Sequence, residues 1–380
     1  MSEVVARIAP GVASFEAEAW DRCAGAGNPF LTHAFLSALE ESGSATVGTG
    51  WQPVPIAIDG EGGAPAAVMP AYLKSHSQGE YVFDHAWAHA FEQAGGDYYP
   101  KLQIAVPFTP VPGRRLLARR PELAPALIGA AEAVVRQNGL SSAHATFIAE
   151  EEVGLFEKAG WLIRVDSQFH WSNRGYAGFE DFLADLSSRK RKAIRKERAA
   201  ALEGLTVEHV TGAAITEAHW DAFWAFYQDT GSRKWGRPYL TRRFFSLLGE
   251  RMADRVLLIF AREAGRPIAG ALNLVGADTL YGRYWGTVAE VPGLHFEICY
   301  YQAIEAAIAR GLARVEAGAQ GAHKLSRGYA PVPTWSAHFI ADRNFRGAVA
   351  DFLARERAAV THEIAELREM TPFRKSGADA

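Results

Sequence analysis

The segment from Thr279 to Tyr329 passes from a β-like run, through a glycine-bracketed loop, into a helical period and out again into a second β-like run. A chain with that order must lay a helix across a sheet, because each element has one apolar face to bury. Thr279 to Trp285 mixes Thr, Leu, Tyr and Trp as strands do, and Gly286 and Gly293 bracket the loop. Ile298, Tyr301, Gln302, Ile304, Glu305 and Ile308 recur at helical spacing, and Gly311 stands where such a helix would end. The first turn of that helix, near Gly293 and Leu294, offers unpaired N–H groups and the positive end of a helix dipole to a phosphate or carboxylate.

The same layering runs through the rest of the chain. THAFLSALEE reads as a helix capped by Thr32, PVPIAI and AAVMPAYL as short strands, Pro121 to Gly139 as a long amphipathic helix, SAHATFIA as a strand, and EEVGLFEKAG as a helix ended by Gly160. After a strand over Leu162 to Ser172 the order recurs, with helices over Asp181 to Leu202 and Glu217 to Thr230 and strands over Val256 to Ala261 and Pro267 to Val275. The expected division is 1–165, 166–345, and a charged amphipathic helix in 346–380 that packs back on the body. With 380 residues, 48% of them hydrophobic, there is material for two cores. A net charge of -3 gives no global attraction to nucleic acid or anionic membrane. Two cysteines exclude a disulfide framework and a Cys-rich zinc site. With no basic-then-apolar leader and no apolar run of about 20 residues, a cytoplasmic protein without a membrane span is expected. No nucleophile elbow, P-loop or dinucleotide fingerprint is present.

Several long strings, AGAQGAHKLSRG, HFEICYYQAIEAAI, YGRYWG, NPFLTHAFLSALEESGS, SSRKRKAIRKER, RKWGRPYLTRRFF and the stretch KSHSQGEYVFDHAWAHAFEQAGGDYYPKLQIAVPFTPVPGRRLL, resemble the FemAB-like family of N-acyltransferases, relatives of the peptidoglycan aminoacyl transferases. The resemblance spans nearly the whole chain. It implies an α/β (α+β) class with tandem GNAT-like domains, mixed sheets flanked by helices, and transfer of an acyl or aminoacyl group to the amine of a small molecule or cell-wall precursor. Among relatives charged tRNA serves as donor, so acyl-CoA or aminoacyl-tRNA is the expected co-substrate. No tightly bound cofactor or metal, no DNA partner, and a monomer or weak dimer are further expectations. Two departures stand out: Ala322 replaces an acidic residue, and His85 and His89 replace an aromatic and an acidic one. A protein of this fold that recognises a wall fragment or RNA without turnover is the alternative.

Acylating an amine requires a seat for the donor, a group aimed at the carbonyl oxygen as it gains charge, and a path for the amine's proton. Glu316, Glu297, His295 and His323 are the catalytic candidates, Glu316 because it ends a strand where open α/β sheets place their crevices. Strand alternation puts Arg283 and Trp285 on one face and Tyr284 on the other; all three are candidates to contact substrate. Lys324 and Arg327, three apart, can face one anion from a helical turn, and Tyr99 and Lys101 suit a substrate channel. Arg189, Lys190, Arg191, Lys192 and Arg195, in a run of seven basic residues out of ten, suit the phosphates of tRNA or a coenzyme tail. His85 and His89 lack the glutamate of a zinc-hydrolase motif and read as surface histidines. Cys299, one turn after His295, reads as a buried structural thiol.

Overall fold

A βαβ crossover appears twice. In the computed structural model, which describes residues 5–235, 238–319 and 321–374, the parallel pair Lys101–Ile104 and Ser142–Ile148 is joined through the helix Ala124–Gln137. The parallel pair Thr279–Thr287 and Arg314–Ala319 is joined through the helix that starts at Leu294 and ends at Ala309. All other recorded strand pairs are antiparallel, so each half is a mixed sheet with helices against it.

The described residues fall into two compact units. Unit 1 is drawn from Met1–Asp166, Tyr239–Phe244 and Pro333–His362. Its mixed sheet runs from Trp51–Pro53 through Ala71–Lys74, Lys101–Ile104 and Ser142–Ile148 to the strand Ala330–Ile340, where Trp335 to Ile340 pair with Ile148 to Ser142; a second, antiparallel sheet holds Ala6–Ile8, Ile56–Asp59, Pro65–Met69 and Leu117–Ala118. Leu127, Ile128, Ala131 and Val135 of the helix Ala124–Gln137 recur at helical spacing and bury against Ile56, Leu102, Ile104 and Ala145.

An ionic cluster lies inside unit 1. The Lys101 ammonium donates to Ser77 Oγ at 2.8 Å, Glu80 Oε2 at 2.8 Å and Asp84 Oδ2 at 2.5 Å, so one cation gathers three side chains of the segment between Lys74 and His85. Lys74 Nζ lies 3.8 Å from the centre of the Trp51 ring and 3.9 Å from Glu80. Burial pushes Lys74 down to about 7 and Glu80 up to about 7. Tyr98 Oη donates to Asp84 at 2.7 Å, and His144 and His338 face each other Nδ1 to Nδ1 at 2.7 Å, with burial holding both imidazoles neutral.

Unit 2 is drawn from Ser167–Pro238, Phe245–Val332 and Glu363–Ala380. Its strands lie in the order Leu205–Thr211, Val256–Glu263, Arg266–Val275, Thr279–Thr287, Arg314–Ala319, and then Ser167 onward of the strand Leu162–Ser172. One face of the sheet, with Ile259, Ala269, Ala271, Leu280 and Val315, packs against Ile298, Ile304 and Ala307. The expected helix over Asp181 to Leu202 is two helices, Phe179–Asp185 and Ser188–Ala201. Leu186 leaves helical geometry to bridge Phe373, and Ser187 begins the second helix from an extended conformation. Among the described residues no helix is long and apolar enough to cross a membrane.

Candidate functional site

The parallel ladder of unit 2 pairs Thr279 with Arg314, Leu280 with Val315 and Tyr281 with Glu316; beyond that point the two strands part. A pocket opens there, walled by Gly282, Arg283, Tyr284 and Trp285 on one strand and Ala317 on the other. Asn273 lies on its floor, and His295, Cys299 and Tyr300 of the following helix close it.

A β-bulge shapes this wall. Leu272 faces Tyr284 but Asn273 faces Gly282, so Arg283 is the extra residue. The expected alternation therefore fails: the bulge rotates the strand, and Arg283, Tyr284 and Trp285 all reach the pocket. Tyr284 packs edge-on to Tyr227, and Trp285 edge-on to His295.

Arg283 Nη2 donates to Glu316 Oε2 at 3.3 Å, both groups being buried. Burial pushes Glu316 up to about 7 against the pull of Arg283, and lowers Arg283 against the pull of Glu316. Glu316 does not line the pocket; it meets it through Arg283. On its other side Glu316 is paired in register with His170, which burial holds neutral, at about 3. Lys324 Nζ donates to the carbonyls of Ala317 and Gly318, each at 2.9 Å, and burial followed by Arg283 brings it down to about 8.

The helix that closes the pocket is irregular: Leu294–Phe296 is α-helical, Glu297–Tyr301 π-helical and Gln302–Ala309 α-helical. A groove lined by residues between Trp285 and Phe296 runs past its first turn at Gly293, whose φ of 79° is left-handed. The unpaired N–H groups expected there are partly used, because Leu294 N–H donates to the Val291 carbonyl at 3.2 Å and Phe296 N–H to the Gly293 carbonyl at 3.0 Å.

The other sequence candidates are dispersed. Glu297 is fully buried and accepts from Arg198 Nη2 at 2.8 Å and Gln302 Nε2 at 2.8 Å, so it anchors a helix away from the pocket. Lys324 and Arg327 do not face a common anion, because Ala322–Arg327 is a 3-10 helix and Arg327 turns to Glu197 at 2.8 Å, stacked 3.5 Å over the Phe296 ring. His323 is exposed and bonds Tyr300 Oη at 3.0 Å; burial of its ring, then Arg327, lowers its pKa. The side chain of residue 322 lies outside those described. Tyr99 and Lys101 belong to unit 1, where Lys101 is inside the ionic cluster and Tyr99 Oη lies 2.8 Å from Ser77 Oγ. Arg189 and Lys192 are exposed on the helix Ser188–Ala201, Lys190 and Arg191 half-buried; Arg195 pairs with Glu180, and Ile194 and Arg198 face inward. His85 and His89 are exposed, and among the described residues no group of three or more His, Cys, Asp or Glu could hold a metal ion.

Sequence reasoning passed over Asn273 and His170, and assigned Cys299 to the core although it is half-buried on the pocket wall. A polar residue within the otherwise apolar run GALNLV was the available signal for Asn273.

Three solved structures share the fold. FemX superposes with a TM-score of 0.54 at 12% identity, covering 88% of this chain and 98% of that one. The C-terminal DUF2156 domain of a putative lysylphosphatidylglycerol synthetase from Agrobacterium fabrum gives 0.53 at 12% identity over 89% and 95%, and L-PGS from Bacillus licheniformis 0.50 at 10% over 92% and 99%. No curated protein sequence matches the chain. The model of the FemAB-like family, described as peptidoglycan biosynthesis/recognition, matches residues 11–375, and with its repeated crossover and mixed sheets the chain belongs to that family.

Proposed function

We propose that unit 2 transfers an acyl or aminoacyl group from a thioester or aminoacyl-ester donor to an amine, the amine being that of a cell-wall precursor or related metabolite. The observation that carries this reading is the gap where the strands part, with a buried cation, Arg283, on one wall and an imidazole, His295, on the other. An amine attacking a carbonyl builds negative charge on oxygen and must shed a proton. Arg283, fixed by Glu316, meets the oxygen, and His295 takes the proton. The groove from Trp285 to Phe296 leads the donor's phosphates to the positive end of the Leu294–Ala309 helix dipole. Arg189, Lys190, Arg191 and Lys192 supply a basic face for a longer donor such as charged tRNA. FemX and the lysylphosphatidylglycerol synthetases have the same fold, which is compatible with this chemistry and leaves donor and acceptor open.

The direct test is thermal unfolding against a panel of acyl-CoA esters. A donor at ~100 times its dissociation constant should add about 2.7 kcal/mol and raise the midpoint. A panel that raises nothing moves the search to aminoacyl-tRNA, whose binding should weaken steeply with salt. Glu316→Gln should lower kcat/KM by about 10–100-fold through loosened placement of Arg283. A loss smaller than about tenfold would remove the carboxylate from the mechanism.

A further inference from the structure

We propose that Cys299 is the nucleophile of the unit 2 pocket, taking the acyl group from an activated donor onto its sulfur and handing it to the amine, with His295 as its proton carrier. This deepens the transferase reading above and rests on it. The chain's two cysteines differ sharply in setting. Cys23 is buried in unit 1 with Sγ 3.4 Å from the Pro65 carbonyl, and burial raises its pKa. Cys299 is half-buried on the wall of the pocket that also holds His295 and Arg283.

Three further observations converge on it. The sulfur sits in the π-helical stretch Glu297–Tyr301, an irregularity found frequently at functional sites. Lys324, a buried ammonium behind Ala317, lies within electrostatic reach of the thiol, and a neighbouring cation favours thiolate. The pocket also has an acceptor in place for a ligand's N–H. Asn273 donates Nδ2 to the Leu257 carbonyl at 3.2 Å, while its Oδ1, buried on the pocket floor, has no partner. A side chain at Gly282 would bring Cβ within 3.3 Å of that oxygen, so glycine keeps the approach open. A buried acceptor left unmatched costs stability unless a ligand meets it, and an attacking amine brings the matching donor.

The cycle balances. His295 takes the thiol proton; sulfur attacks the donor carbonyl, the donor's C–S or C–O bond breaks, and the proton leaves on the departing thiol or hydroxyl. The amine then attacks the Cys299 thioester, the new C–N bond replaces the C–S bond, and the amine's proton passes through His295 to the restored thiol.

Two measurements on the intact protein decide it. Iodoacetamide labelling at neutral pH should modify Cys299 first and Cys23 slowly, and the Cys299 rate should fall in Lys324→Met. Incubation with S-acetyl-N-acetylcysteamine, a small thioester, should add one hydroxylamine-labile acetyl group that peptide mapping places on Cys299. Cys299→Ser and Cys299→Ala should lack that thioester and lose at least about 10²-fold in amide formation. Labelling of Cys299 no faster than that of Cys23, no acyl adduct, or undiminished amide formation in Cys299→Ala each overturns the proposal. In the last case the transferase reading stands, with direct attack. Acyl capture by Cys299 without amide from any thioester or ester donor overturns that reading instead.

Discussion

Replacing Lys101 with methionine is expected to lower the unfolding free energy by about 3–5 kcal/mol, because it leaves Glu80 and Asp84 as buried carboxylates without their shared cation. Urea denaturation at pH 7.5 measures the loss. The sign of its pH dependence follows from proton binding. In the native protein burial works against the Asp84 carboxylate, but Lys101 holds it well below its ordinary value, so its contribution is present at neutral pH and lost on strong acidification. Glu80, already pushed up to about 7, binds protons more tightly folded than unfolded, so it favours folding increasingly as pH falls from about 7 toward 4.5. Without Lys101 both carboxylates rise, and the variant should regain stability on mild acidification. Adding Glu80→Gln and Asp84→Asn should recover most of the loss at pH 7.5. A Lys101→Met protein within 1 kcal/mol of the native one, on the order of an exposed ion pair, would assign the cluster to the surface class.

The second large effect is at Gly286, on the strand that walls the pocket. A Cβ there would stand 2.2 Å from the backbone carbon and oxygen of Phe226, on the helix Glu217–Trp235. Backbone cannot turn aside as a side chain can, so Gly286→Ala should cost about 3 kcal/mol or more, the top of the overpacking range. The strand must move, carrying Tyr284 and Trp285 with it. A displacement of ~1 Å in a positioned group costs about 10²-fold in turnover, so kcat should fall to that degree in protein that still folds. Gly347→Ala is the contrast: on the helix Arg343–Glu369, with nothing within 4 Å of its Cβ, it should be neutral or stabilising by up to about 1 kcal/mol. Equal midpoints for the two variants would remove the close approach.

Periodicity carried most of the fold. The helix Ala124–Gln137, the strands Val256–Glu263 and Arg266–Val275, and the glycine stop after Ala309 all follow from spacing, because each has one continuous apolar face. The site was less legible. Glu316 and Arg283 could be singled out as polar residues in β-like runs, but strict alternation could not foresee the bulge that turns Tyr284 onto the same wall. Glu297 looked like Glu316 in sequence and differs wholly in setting, since its partner Arg198 lies 99 positions away. Cys299 was assigned by its apolar neighbours, which are buried; the π-helical turn gives the thiol a different exposure from theirs. The ionic cluster was invisible for a similar reason: Lys74, Glu80, Asp84 and Lys101 are spread along loop and strand, and only folding brings them together.

Unit 1 takes its last strand and a helix from the far end of the chain, Pro333–His362, and a short piece from Tyr239–Phe244. Synthesis runs in one direction, so when residue 166 emerges the strand Ser142–Ile148 still has a bare edge where Trp335 to Ile340 will pair. Half of His144's imidazole pair is also missing until His338 arrives. A nascent chain therefore carries an adhesive sheet edge through the making of the whole of unit 2. Fragments ending near residue 166 should aggregate rather than behave as an independent module, and premature termination anywhere before residue 340 should leave a product that quality control removes.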